Sequence, residues 1–144
     1  GRALVIHCPE LKEGEVIPFS AVERVRPLAD RAEFLLFHTG WGRYWGTERY
    51  FGGYPCIDQG IVDYLLQSGK KGVGLDTIGV DPIADAYLSI HRRLFQDHDL
   101  VVMENLANLD QLGDGLFTLF ALPLRYQDAD GSPIRAVAVL DGEE

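Results

Sequence analysis

Apolar and polar residues fall into two kinds of block along the 144-residue chain. Short, nearly continuous apolar runs stand at "ALVIH" (3–7), "AEFLLFHTG" (32–40), "KGVGLD" (71–76) and "DLVVMEN" (99–105). Runs of this length, bounded by Pro, Gly or charged residues, predict buried strands. Between them the apolar residues recur at three and four. Ile57, Ile61, Tyr64, Leu65 and Leu66, with Gly69 as a stop, predict a helix over 57–69. A second helix, predicted over 82–96, opens at Asp81-Pro82 and puts Ala84, Tyr87, Leu88, His91, Leu94 and Phe95 on one stripe, with Asp85, Arg92 and Arg93 opposite. Ser20 followed by Glu23 has the spacing of a capping box, and Pro27 requires that this short helix end before it or restart at it. The stretch "WGRYWGTERYFGGYP" (41–55) is too rich in glycine for regular structure and reads as an aromatic loop. In the tail, Asp-Ala-Asp-Gly (128–131) separates two β-rich runs, as in a hairpin. With no repeat and no linker, the pattern predicts one domain, 1–144, of mixed α and β.

Composition narrows the function classes. The chain is 47% hydrophobic and 24% charged, which suits a folded domain. Its 13 Lys and Arg against 22 Asp and Glu give a formal net charge of -9. No basic cluster exceeds two adjacent residues, which argues against nucleic acid and anionic membranes as partners. No apolar run is long enough to cross a bilayer, and "GRALVIHCPEL" lacks the form of a signal peptide. Cys8 and Cys56 are far apart and form no zinc-ribbon or disulfide pattern, so the cytoplasm is the expected compartment.

His91 and Glu104 carry the chemistry that the pattern singles out. His91 sits on the predicted apolar stripe, and Glu104 ends the apolar run Leu100 to Met103. Each has a plain structural reading, as a core histidine and an exposed strand-end acid. Together they can ligate a divalent ion of the zinc or manganese type, although a catalytic zinc takes three protein ligands. Two are too few.

Five segments resemble one family when taken in order: "FHTGW" (37–41), "GVGLDTIGVDP" (72–82), "IHRRLF" (90–95), "VVMENLANLDQL" (101–112) and "FALPLRYQDADGSPIRAVAVL" (120–140). Their order and spacing are similar to those of the cyclase family of metal-dependent hydrolases, which includes bacterial kynurenine formamidases. The resemblance implies a swivelling β/β/α-type fold, a barrel-like sheet flanked by helices, assembled as a homo-oligomer. It also implies a zinc or manganese site in which His91 and Glu104 match the family's later ligands, and hydrolysis of an N-formyl or cyclic amide substrate by metal-activated water. The family's H-x-G-T-H-x-D-x-P motif, with its further ligands and proton-transfer histidine, is found nowhere in the 144 residues. The chain resembles the C-terminal two thirds of a family member, and unpaired strand edges are then expected to favour pairing with another copy. Gly79 stands where the family often has serine, and His38 where arginine is common.

Other candidates remain open on sequence. His38, Trp41 and Trp45 could line a substrate pocket for a ring-bearing amide, with the surrounding aromatics serving as a wall or as packing. His7 and His98 read as structural or solvated, and Asp81 as a helix cap. Two functions are consistent with this pattern. One is a metal-dependent amide hydrolase with half its site in these residues, and the other is a non-catalytic domain that binds a small molecule or another subunit.

Overall fold

The computed structural model describes residues 1–96 and 99–140. His98 lies outside the described residues. Six strands form one sheet: β1 (Arg2–His7), β3 (Phe34–His38), β5 (Gly72–Leu75), β6 (Val101–Met103), β7 (Phe117–Pro123) and β8 (Ile134–Val139), in the order β6-β5-β3-β1-β7-β8. The pairings β1–β3, β3–β5 and β5–β6 are parallel, while β7 joins β1 and β8 antiparallel. A separate parallel pair joins β2 (Val16–Ile17) to β4 (Cys56–Ile57). The predicted strands and the tail hairpin are present, in a mixed α/β arrangement. The small β2–β4 pair was not expected, because two-residue strands leave no periodicity to read.

Parallel strands buried on both faces read as unbroken apolar runs, and β1 and β3 show why. Leu4, Ile6, Leu35 and Phe37 point into one core with Ile61, Val62 and Leu65, whereas Ala3, Val5 and Leu36 point into another with Met103, Leu106 and Phe117. The four α-helices of the described residues lie on the first side: α1 (Ser20–Glu23), α2 (Arg26–Arg31), α3 (Gln59–Gln67) and α4 (Ser89–Phe95). The second side is covered by the segment after β6 and by the β7–β8 hairpin. β5 must run close beneath that cover. A Cβ on Gly74 would stand 2.7 Å from both Leu36 Cδ2 and Leu106 Cδ1, so the strand admits only glycine there without repacking.

One helix expectation is met and two change. As expected, the first helix ends before Pro27, at Glu23, and a new one opens with Pro27 in the first turn of α2, where its missing N–H costs nothing. The Ser20 hydroxyl caps nothing: α1 has Phe19 in the cap position, and the Phe19 N–H instead donates to Asp58 Oδ2 at 2.7 Å. Asp58 caps α3 as well, accepting from Ile61 N at 2.8 Å. The largest change is in the 82–96 region, where the helix spans only Ser89–Phe95. Asp85 accepts from the backbone N–H groups of Tyr87 and Ser89, which holds 85–89 in a turn, and Leu88 takes the left-handed conformation (φ 51°). Tyr87 is consequently 79% exposed, and the buried face of α4 is Ile90 and Leu94, with His91 at its margin.

Candidate metal and ligand site

The turn at 85–89 has a consequence for chemistry. Asp81, expected to cap a helix starting at its own position, is 2% exposed and caps one that starts eight residues on, at Ser89. Its carboxylate accepts from the backbone N–H of Ile90 at 2.5 Å and of His91 at 3.1 Å. The same carboxylate meets His91 Nδ1 at 2.5 Å. Its own backbone is held in turn, because the Tyr54 hydroxyl donates to Asp81 O at 2.8 Å. One buried carboxylate thus fixes both the start of α4 and the plane of the His91 ring.

Glu104 arrives from the end of β6. The two residues after it are tied back to the sheet, Asn105 N to Thr77 O at 2.8 Å and Leu106 N to Leu75 O at 2.9 Å. This turn brings Glu104 Oε1 to 3.1 Å from His91 Nε2. His91 is therefore flanked by two carboxylates. The Glu104 contact, ahead of the opposing effect of burial and the help of Asp81, raises its pKa above the usual imidazole value of 6.5. The protonated ring donates to Asp81 from Nδ1 and to Glu104 from Nε2.

The pair fits a divalent cation. Two donors at ordinary zinc distances and a tetrahedral angle stand about 3.3 Å apart, close to the 3.1 Å found between Nε2 and Oε1. Asp81 on Nδ1 is the outer carboxylate that metal-bound histidines usually have, and it leaves Nε2 as the ligating atom. Gly79 keeps the space beside the pair open, since a Cβ there would stand 3.4 Å from Glu104 Oε1 and 3.2 Å from the Tyr54 hydroxyl. Among the described residues no group of three His, Cys, Asp or Glu side chains is placed to hold a metal. His91 and Glu104 thus offer two ligands, and Asp81 supports one of them from behind.

The other sequence candidates fall in a neighbouring region. A cleft of about 710 Å³ is lined by His38, Arg43, Trp45, Tyr50, Asn105 and Leu109, among others. Glu104 opens instead onto a second cleft of about 370 Å³ beside β7 and β8, and residues 105–109 form a wall common to both. Trp41 does not belong to either. It is 1% exposed, packs with Tyr44, and donates from its indole N–H to Tyr50 O at 3.1 Å. Trp45 is 68% exposed and sets its ring edge to face with Tyr50 at 5.0 Å. The aromatic loop therefore divides: Trp41, Tyr50 and Tyr54 pack together in a small core of their own, and Trp45 remains at the cleft. Asp76 is a structural group. It accepts from Thr39 N, Thr39 Oγ1 and Gly40 N, and so fixes the turn by which β3 delivers His38 to the cleft rim.

Asp81 is the site residue that sequence reasoning placed in a lesser role. Its Asp-Pro signal pointed to a cap, and only the excursion at 82–88 shows that the cap also holds a histidine. No helix among the described residues is long and apolar enough to cross a membrane.

The Cyclase family model matches residues 1–82. Kynurenine formamidase from Bacillus anthracis is 42% identical over 83 residues, which are 58% of this chain and 39% of the relative. An isatin hydrolase bound to the product analogue thioisatinate superposes with a TM-score of 0.79 at 24% identity, covering 96% of this chain and 59% of that one. A structure described as a potential metal-dependent hydrolase with cyclase activity gives 0.66 at 18%, covering 96% and 64%. The chain spans well under two thirds of the length of the curated relative and just under two thirds of these two structures. The structural likenesses support the mixed α/β, sheet-and-helix fold, and the family match covers more than half of the chain. This chain belongs to the Cyclase family.

Proposed function

We propose that these residues form part of an amide hydrolase of the kynurenine formamidase type, acting on an N-formyl or cyclic amide. His91 Nε2 and Glu104 would be two ligands of its zinc or manganese, with further ligands supplied from outside the described residues. The observation that carries this reading is the 3.1 Å approach of His91 Nε2 to Glu104 Oε1, with Nδ1 turned to the buried Asp81. A divalent cation bound there would supply an acidified water and polarise an amide carbonyl. The residues of this chain have simpler tasks. Asp81 accepts the Nδ1 proton and holds the ring, Glu104 brings negative charge, and Gly79 leaves room beside them. The substrate's ring would lie in the larger cleft, against His38 and Trp45. A homo-oligomer is part of the same reading, supported by the apolar face that Phe120, Leu122, Val137 and Val139 expose on the edge hairpin; a clean monomer in sedimentation would count against it.

The second reading is a non-catalytic domain that binds a small molecule or another subunit. It is favoured by the lack, among the described residues, of a third ligand. Calorimetric titration of zinc and of manganese into the wild type and His91→Ala separates the two. Stoichiometric uptake that weakens at least tenfold in His91→Ala supports the metal site, and hydrolysis of an N-formyl anilide would then be assayed. Stoichiometric uptake that is equal in both proteins supports the second reading.

A further inference from the structure

His7 and His38 end the adjacent parallel strands β1 and β3 and are partners in register. Their side chains meet on the same side of the sheet. His7 Nδ1 lies 3.0 Å from His38 Nδ1, the rings are nearly perpendicular at 84°, and His7 Nε2 lies 3.0 Å from the carbonyl oxygen of Leu112. These contacts assign the protons. A carbonyl only accepts, so His7 is protonated at Nε2. A neutral His7 has no second ring proton, and its Nδ1 must accept. The proton between the two rings is therefore the Nδ1–H of His38, and the lone pair of a neutral His38 is on Nε2.

That Nε2 has no hydrogen-bond partner among the described residues, and it is not a buried unsatisfied atom. His38 is among the residues that line the 710 Å³ cleft. We propose that His7 acts as a positioning residue that locks His38 into the Nδ1–H tautomer, so that the cleft presents one imidazole acceptor to an N–H or O–H group on an aromatic ligand stacked near Trp45. The inference rests on reading this cleft as a ligand site, and not on a cation at His91 and Glu104. Its elements are tied together by hydrogen bonds. Cys8 N donates to His38 O at 2.8 Å, which fixes the two strand ends together, and Asp76 holds the next two residues. A bare acceptor beside an aromatic wall selects for a donor, because a ligand without one leaves the nitrogen desolvated and unpaired.

The test begins without a ligand or a variant. Long-range ¹H–¹⁵N correlation spectra of histidine-labelled protein, at about pH 8 where ordinary imidazoles are neutral, are expected to show His38 protonated on Nδ1 and His7 on Nε2. A His38 protonated on Nε2 overturns the proposal. Indole, whose one polar group is an N–H, is then compared with 1-methylindole by titration. Indole is expected to bind about three- to tenfold tighter and to move the His38 Nε2 resonance. Apolar burial alone would favour the methylated compound, so equal or reversed affinities also overturn the proposal. His7→Leu is expected to abolish the preference while retaining the wild-type amide spectrum. His7→Gln, whose amide can both donate to Leu112 and accept from His38, is expected to keep it. The spectra and titrations are made on chelator-treated protein, so that failure of the cation reading and failure of this one are seen separately.

Discussion

Replacing Asp81 by Asn preserves the shape of the side chain and removes only its charge and one acceptor. In the wild type the carboxylate accepts from Ile90 N, His91 N and His91 Nδ1. The introduced carboxamide can still accept from Ile90 through its oxygen, but its NH₂ group then confronts two donors of His91. Loss of the cap to one backbone N–H costs about 1 kcal/mol. Loss of a buried hydrogen bond between a carboxylate and the imidazole costs about 1.5–3 kcal/mol. Relief from burying a charge offsets some of this, so a net destabilisation of about 2–3 kcal/mol is expected. Urea unfolding of the metal-free protein at constant slope measures it. His91→Ala, which leaves the two backbone contacts to Asp81 in place, should cost less than Asp81→Asn combined with it, and the double mutant gives the coupling of the pair. If Asp81→Asn lies within about 0.5 kcal/mol of the wild type, the spread expected of unremarkable surface changes, the carboxylate neither holds α4 nor orients His91. The support for a metal ligand from behind would then fall with it.

Other outcomes follow from the packing and titration of single groups. Gly72→Ala would place a Cβ 2.7 Å from Val101 O and 2.8 Å from the Phe34 ring, and a loss of about 1–3 kcal/mol in urea unfolding is expected as β5 and β6 separate. Burial pushes the Cys8 thiol to about 11 and the Cys56 thiol to about 12, so neither should react with a thiol reagent at pH 8 until the protein unfolds; rapid labelling of the native chain would contradict their burial. The Tyr64 hydroxyl, and then Arg26, hold the Asp30 carboxyl below its ordinary value of 3.8. The stability that Asp30 contributes is present above that ordinary value and is lost as the pH falls through the lower folded one. Asp30→Asn should therefore flatten the acid limb of the unfolding midpoint plotted against pH.

The strands were legible because β1 and β3 are buried on both faces, and burial on both faces leaves an apolar run that no other local structure explains as well. The α3 helix was legible because its apolar residues recur at helical spacing and Gly69 stops it; that Asp58 caps it is seen only in the structure. The region 82–96 was not, although its apolar residues have helical spacing. There the Asp85 side chain accepts backbone hydrogen bonds that compete with the helix, and it wins over residues that periodicity alone would include. Trp41 and Trp45 are equally aromatic in sequence, and nothing local distinguishes the one whose indole N–H finds Tyr50 O from the one left at the cleft.

By itself, then, the sequence determined the class of fold, the order of its strands along the chain, the family, and His91 and Glu104 as candidates. Each of these depends on local pattern or on motif. Contact between distant residues was decided only by the tertiary structure: the 3.1 Å approach of His91 to Glu104, the carboxylate of Asp81 behind the imidazole, and the meeting of His7 with His38. The physical reason is register. Pairing β1 with β3 in parallel places two histidines side by side that are 31 residues apart in the chain, and no periodicity within either strand encodes which residue of the other it will face.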